Sequence, residues 1–296
     1  MVRPTPISVA LLLVALASCA DPDSTYSVVH HRANGCDDDA PENSVRAARC
    51  VVKRCAEGTA PCAFEGDAQL ARIRNGSVDG ALEVVWMHDG STARTASCPH
   101  ELSFPGEAPI DASELTACRL YGPRGALSQE AVPTLDQIIA VVEGTPVTLY
   151  LELKASGDET LDRTLAEAAV RKLRPIRSHV IVTSFSTVAI GHVKSIAPEV
   201  PTACFAPTGA LAHQITRRIA GGIGADVDDC LARGHDFVFV PPEFLDGSIV
   251  SHIRAKKRRL GVYGSETADA HGDIQRWGNR IDVVYADHPA MYAKPR

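Results

Sequence analysis

Ala63-Phe64-Glu65-Gly66-Asp67-Ala68 is a short apolar run interrupted by two carboxylates at i and i+2. In a strand those two positions share a face. A strand covered on both sides reads as nearly continuous apolar sequence, so two carboxylates on one of its faces need a cation to be kept there. Leu149-Tyr150-Leu151-Glu152-Leu153-Lys154 repeats the pattern, with Glu152 and Lys154 breaking an apolar run at its carboxyl-terminal end. That end is where barrel active sites form. Glu152 would add a third carboxylate to an oxygen-rich metal site, and Lys154 a positive charge for an anionic ligand.

Outward from these runs, short apolar stretches alternate with longer amphipathic ones, the pattern of β-α units on a parallel sheet. Eight runs read as strands: Ser27 to His31, Ala63 to Ala68, Val147 to Leu153, His179 to Ser184, Val200 to Phe205, Asp236 to Val240, Leu260 to Ser265 and Asp282 to Ala286. Helices are expected over Ser44 to Cys55, Thr134 to Glu143, Leu161 to Leu173, Val188 to Ile196, Ala210 to Ala220, Pro242 to Lys256 and Asp269 to Trp277. Eight such units predict an α/β chain folded as a (β/α)8 TIM barrel. No G-x-G-x-x-G follows the first strand, which removes the main support for a dinucleotide fold. From Ser91 to Val132 the alternation fails, and residues 91–132 are expected to form an insertion after the second strand region, over the barrel mouth.

The chain has 296 residues, 45% of them hydrophobic and 22% charged, enough for a large core. A net charge of -6 gives no electrostatic footprint for nucleic acid, and the basic run Lys256-Lys257-Arg258-Arg259 is short. Arg3, an apolar stretch from Ile7 to Ala17 and small residues before a cysteine make an export signal over residues 1–18. Leu16-Ala17-Ser18-Cys19 resembles a bacterial lipobox, which implies a chain acylated at Cys19 and held at a cell-envelope membrane, or secreted if the lipobox is not used. The other eight cysteines form an even set in a chain marked for export, so disulfides are expected. Cys98 with Cys118 and Cys204 with Cys230 would each close a local loop.

Two histidines complete the chemistry. His30 and His31 end the first strand, where adjacent rings face opposite ways and only one can enter the mouth. His88 follows the apolar run Leu82 to Met87, with Asp89 placed to orient its ring. Two histidines across a metal-bound phosphate are what acid and base catalysis of phosphodiester cleavage uses. In order, His31-Arg32, Pro41-Glu42-Asn43, Glu65-Gly66-Asp67, His88-Asp89, Glu152-Leu153-Lys154 and Asp287-His288-Pro289 resemble the glycerophosphodiester phosphodiesterase family, a match that spans His31 to Pro289.

The resemblance implies a TIM barrel over residues 27–296 in which Glu65, Asp67 and Glu152 bind Ca²⁺ or Mg²⁺. It implies His31 and His88 as the acid/base pair, Arg32 and Lys154 as phosphate contacts and Glu42 as support. The implied substrate is a small-molecule glycerophosphodiester, cleaved to glycerol 3-phosphate and an alcohol. A lysophospholipase D or sphingomyelinase D-like activity is the neighbouring alternative, and a wide apolar groove beside the site would favour it. A catalytically silent binding lipoprotein would not need both histidines, and a glycosidase using Glu65 and Glu152 would leave Lys154 and the histidines without work. The chain departs from the family at Ala33, where a glycine is usual, in the long acidic stretch Asn34 to Ala40, and at Tyr263-Gly264-Ser265, where an aromatic Trp-Thr is usual.

Overall fold

The computed structural model describes residues 26–75, 78–104, 110–207, 223–264 and 268–292. The expected export signal, Cys19 and the helix expected over Ala210 to Ala220 lie outside the described residues. All eight expected strand runs are strands: β1 (Ser27–His30), β2 (Ala63–Asn75), β7 (Thr148–Leu153), β8 (Val180–Ser184), β9 (Thr202–Phe205), β10 (Phe237–Val240), β11 (Arg259–Val262) and β12 (Val283–Ala286). Each pairs in parallel with the next, and β1 closes the ring against both β12 and β2, through His30 opposite Phe64. The fold is a (β/α)8 barrel.

Alternation along each strand sorts residues into two cores. Inward positions carry Val29, Ala63, Tyr150, Ile181, Ala203, Phe205, Phe237, Phe239, Val283 and Tyr285, a barrel interior filled by aromatic rings. Gly261 makes room for one of them, since a Cβ there would stand 2.3 Å from the Phe239 ring. Outward positions such as Phe64, Leu149, Leu151 and Val182 pack under the helices. Those helices are α1 (Val45–Ala56), α3 (Leu135–Val142), α4 (Glu159–Lys172), α5 (Thr187–Ile196), α6 (Gly224–Ala232), α7 (Gly247–Ala255) and α8 (Ala268–Trp277). Local signals set their starts: Ser44 Oγ accepts from Ala47 N ahead of α1, and Asp158 and Asp246 cap α4 and α7 in the same way.

β2 is longer than its sequence run. Ala63–Ala68 lie in the barrel against β7, while Ala68–Asn75 continue past the rim and pair antiparallel with β3 (Val78–Trp86). The insertion folds onto this arm, with β4 (Ala96–Ser97), β5 (Ile110–Asp111), α2 (Ala112–Ala117) and β6 (Arg119–Leu120). It is more ordered than its weak periodicity suggested, because Leu102, Phe104, Ile110, Leu115 and Leu120 build a core of their own against Ile73 and Val85 of the arm.

Disulfides Cys98–Cys118 and Cys204–Cys230 are formed as expected, and Cys36–Cys50 and Cys55–Cys62 tie α1 to the loops on either side. Each closes a short loop and so lowers the entropy of the unfolded chain.

Candidate active site

The inward face of β2 runs Ala63, Glu65, Asp67, Gln69, and its register sets Asp67 opposite Glu152 of β7. Three carboxylates thus meet at the carboxyl-terminal rim, and one oxygen from each of Glu65, Asp67 and Glu152 lies within 4.8 Å of the others. Glu65 and Asp67 are fully buried. On the opposite face Gly66 lets the strand approach β3: a Cβ there would lie 1.9 Å from Trp86 Cζ2 and 2.7 Å from Asn43 Oδ1.

The three acids are not equally satisfied. Asp67 accepts from Asn43 Nδ2 at 2.8 Å and from Lys154 Nζ at 3.3 Å, and Lys154 also pairs with Glu152 at 2.7 Å. Burial works against the Asp67 charge, but Lys154, His88 and Arg32 outweigh it and hold the carboxyl below the usual range. Lys154 is held above its usual range, the carboxylates of Glu152 and Asp67 overcoming burial. Glu65 is the exception. Its Oε2 accepts from Arg32 N at 2.9 Å, while its Oε1 is buried with no hydrogen-bond partner among the described residues. Burial and the Asp67 charge push it up. A buried carboxylate oxygen with no donor, facing two further carboxylates, fits a hard cation held by oxygen ligands.

Arg32 reaches this cluster through an unusual backbone. Arg32 and Ala33 have φ of 52° and 57°, in the left-handed region, which turns the Arg32 amide onto Glu65. At that second position a glycine would carry no steric cost, and Ala33 instead packs its methyl into the core. The Arg32 guanidinium donates to Glu42 Oε2 at 3.1 Å and lies 3.9 Å from Asp67. Asn43 also has a positive φ, 54°.

β1 ends at His30 and His31 opens a short 3₁₀ turn, His31–Ala33, across which the two rings part. The His30 ring is buried, its Nδ1 is bonded to Asn34 O at 2.7 Å, and burial pulls it down to about 4. His31 turns into the mouth, with Nδ1 on Asp287 Oδ1 at 2.7 Å, Nε2 3.9 Å from Glu65 and its ring 6.4 Å from that of Tyr285. Burial opposes its charge, but the Asp287 hydrogen bond and the Glu65 carboxylate raise it to about 9. His88 is oriented in the same way, through Nδ1 on Asp89 Oδ1 at 2.7 Å. In both rings a carboxylate takes Nδ1.

Three contributors were not assigned from sequence. Asp287 sits in the Asp287-His288-Pro289 motif, but its contact with His31 spans 256 residues. Gln69 extends the i, i+2 series of β2, and its Nε2 lies 2.9, 3.1 and 2.6 Å from the carbonyls of Met87, His88 and Asp89. The signal was present as a third polar residue on the same face. Arg94, in the insertion, donates to both Asp89 and Glu42, and nothing in its local sequence marks it. Among the described residues, two cavities flank the site. One, of about 620 Å³, lies between the first loop and the insertion, beside Glu42, Arg94, Tyr121 and Asp287; the other, of about 190 Å³, lies beside His88, Lys154, Leu70 and Phe104.

No protein-family model and no curated protein matches the sequence. Solved structures do resemble it in fold. One from Silicibacter pomeroyi, named for a glycerophosphoryl diester phosphodiesterase, aligns at a TM-score of 0.70 and 18% identity, covering 93% of this chain and 94% of its own. A glycerophosphoryl diester phosphodiesterase from Parabacteroides distasonis aligns at 0.64 and 19% identity, covering 93% and 87%. An Oleispira antarctica phosphodiesterase in complex with the product sn-glycerol-3-phosphate aligns at 0.62 and 21% identity, covering 89% and 93%. This chain therefore shares the barrel architecture of those phosphodiesterases along nearly its whole length.

Proposed function

We propose that the protein is a metal-dependent phosphodiesterase that hydrolyses a glycerophosphodiester to glycerol 3-phosphate and an alcohol. The observation that carries this reading is the buried triad of Glu65, Asp67 and Glu152 beside two histidines, each with a carboxylate on Nδ1. The resemblance of the six ordered motifs and the shared fold support it. Glu65, Asp67 and Glu152 would hold Ca²⁺ or Mg²⁺, which when bound neutralises charge on the phosphoryl oxygens. Arg32 and Lys154 bind the phosphate. With Nδ1 engaged, Nε2 is the nitrogen through which His31 and His88 would act: one takes the proton of the attacking oxygen while the other delivers a proton to the leaving alcohol oxygen as its bond to phosphorus breaks. Asp287 and Asp89 keep those rings in the required tautomer.

Cavity size bears on the alcohol. Among the described residues, the space beside Leu70 and Phe104, about 190 Å³, falls short of the roughly 300–1,000 Å³ of pockets that enclose larger ligands. The polar cleft, about 620 Å³, lies within that range. Among the described residues, then, the larger space is the one lined by Asp37, Asp38, Glu42 and Arg94, which suits a polar alcohol. Attachment through Cys19 at a cell-envelope membrane remains part of the proposal; four disulfides suit an exported protein. No helix among the described residues is long and apolar enough to cross a membrane.

The test is hydrolysis of glycerophosphocholine with Mg²⁺ or Ca²⁺. His31→Ala and His88→Ala are each expected to lower kcat by about 10²–10⁴-fold, and chelation to abolish turnover until metal is restored. Wild-type rates in both variants, or turnover that survives chelation, would refute the mechanism.

A further inference from the structure

Arg94 is supplied by the insertion, three residues after its first residue, Ser91. Its guanidinium spans two carboxylates: Nε donates to Asp89 Oδ2 at 2.5 Å, and Nη2 to Asp89 Oδ1 at 3.0 Å and to Glu42 Oε1 at 2.7 Å. Both acceptors are already engaged with residues of the site. Asp89 Oδ1 orients His88, and Glu42 Oε2 holds the Arg32 guanidinium. One unbroken chain of contacts therefore runs from the His88 ring through Asp89, Arg94 and Glu42 to Arg32.

We propose that Arg94 is a positioning residue for the phosphodiesterase reaction, clamping Asp89 to Glu42 so that His88 and Arg32 are held in fixed relation. The inference rests on the function assigned to this site. Its logic is geometric. Asp89 lies on the loop that leaves β3, whereas Glu42 lies between β1 and α1, so the two carboxylates belong to separate segments of the rim. Without Arg94, Asp89 keeps its contact with His88 and Glu42 its contact with Arg32, and each can rotate on its own. Asp89 would lose the fork that fixes its plane, and with it the direction in which it holds the His88 ring. A lysine at this position carries the charge but not the planar fork that serves two acceptors at once. The Arg94 side chain is 57% exposed, and exposed ion pairs add little to folding. Loss of the clamp should therefore appear in catalysis and not in stability.

The experiment compares wild type, Arg94→Ala and Arg94→Lys in hydrolysis of glycerophosphocholine and bis(p-nitrophenyl) phosphate, with melting temperature measured in parallel. Loss of an orienting partner of this kind typically costs about 10–100-fold. That fall is expected in kcat for Arg94→Ala, with an unchanged melting temperature and little recovery in Arg94→Lys. Combined with Asp89→Asn or Glu42→Gln, Arg94→Ala should cost much less than it does alone, because the clamp is already broken. Wild-type kcat in Arg94→Ala, or losses that multiply in full with both partners, overturns the proposal. If the wild-type protein turns over neither substrate, the assigned function fails, and ring ¹⁵N signals of His88 decide the clamp separately. A shift on Arg94→Ala supports it; signals identical to wild type overturn it.

Discussion

At the scale of single residues, the site is built around side chains that the strand pattern could not otherwise keep. Glu65 and Asp67 stood out in the sequence because they occupy one face of an apolar run, and in the fold that face is the barrel interior just above Ala63. The residue between them has an equally strict role, which Gly66→Ala would test. The added Cβ would fall 1.9 Å from an indole that is itself buried, and 2.7 Å from the amide oxygen of Asn43, which partners Asp67. Overpacking a close-packed core typically costs about 1–3 kcal/mol, occasionally more. With Trp86 walled in, the expected loss is about 3 kcal/mol, read as a lower urea midpoint together with slower turnover in the proposed hydrolysis. A variant unfolding at the wild-type midpoint would show that Trp86 has room to move. The partners of the site residues were harder to read. Asn43 and Asp287 lie in motifs that drew notice, yet what they touch is 24 and 256 residues away, a distance only the closed barrel removes.

At the scale of elements, β2 does two jobs in one run of chain. Its first half is a barrel strand carrying the acids; its second half leaves the rim and supports the insertion. Barrel strands were legible because apolar runs and amphipathic runs alternate, and their observed bounds differ from the expected ones mainly at the ends. The insertion was not, since its short strands and α2 draw their order from packing against Ile73 and Val85, a tertiary contact that leaves no local period. Gln69 sits where the two halves of β2 meet. Its buried amide serves the carbonyls of Met87, His88 and Asp89, and so anchors the segment that carries His88. Gln69→Leu fills similar volume but leaves those carbonyls without their donor, at a cost of about 1–3 kcal/mol for buried unsatisfied groups. The expected outcome is a modest drop in stability with a larger drop in kcat. Unaltered kcat in a destabilised variant would confine Gln69 to a folding role.

At the scale of the whole molecule, the two ends of the barrel are charged for different reasons. Acids and histidines at the carboxyl-terminal rim converge on the candidate site. At the other end, His235 just precedes β10, buried with Nδ1 3.0 Å from Thr202 Oγ1, and Asp236 binds Thr202 N and Lys194. Conserving the fold is the task of such an end in a barrel enzyme, so perturbing it should alter stability and leave turnover alone. Burial, reinforced by the cations of Lys194 and Arg233 against the opposing carboxylates of Asp236 and Asp229, pulls His235 down to about 4 from 6.5. Between those values the unfolded chain takes up a proton that the folded chain refuses. His235 therefore favours the folded state least at low pH: its contribution is intact above about 6.5, declines as pH falls, and is lost near 4. A depression of that size corresponds to roughly 3 kcal/mol. His235→Gln keeps a donor and acceptor beside Thr202 but cannot titrate. Urea unfolding of wild type and variant at pH 7.5, 5.5 and 4 should show the variant gaining on wild type by about that amount as pH falls, while glycerophosphocholine hydrolysis at pH 7.5 stays at the wild-type rate. Stabilities that run parallel across this range would mean that His235 is protonated as readily in the fold as outside it.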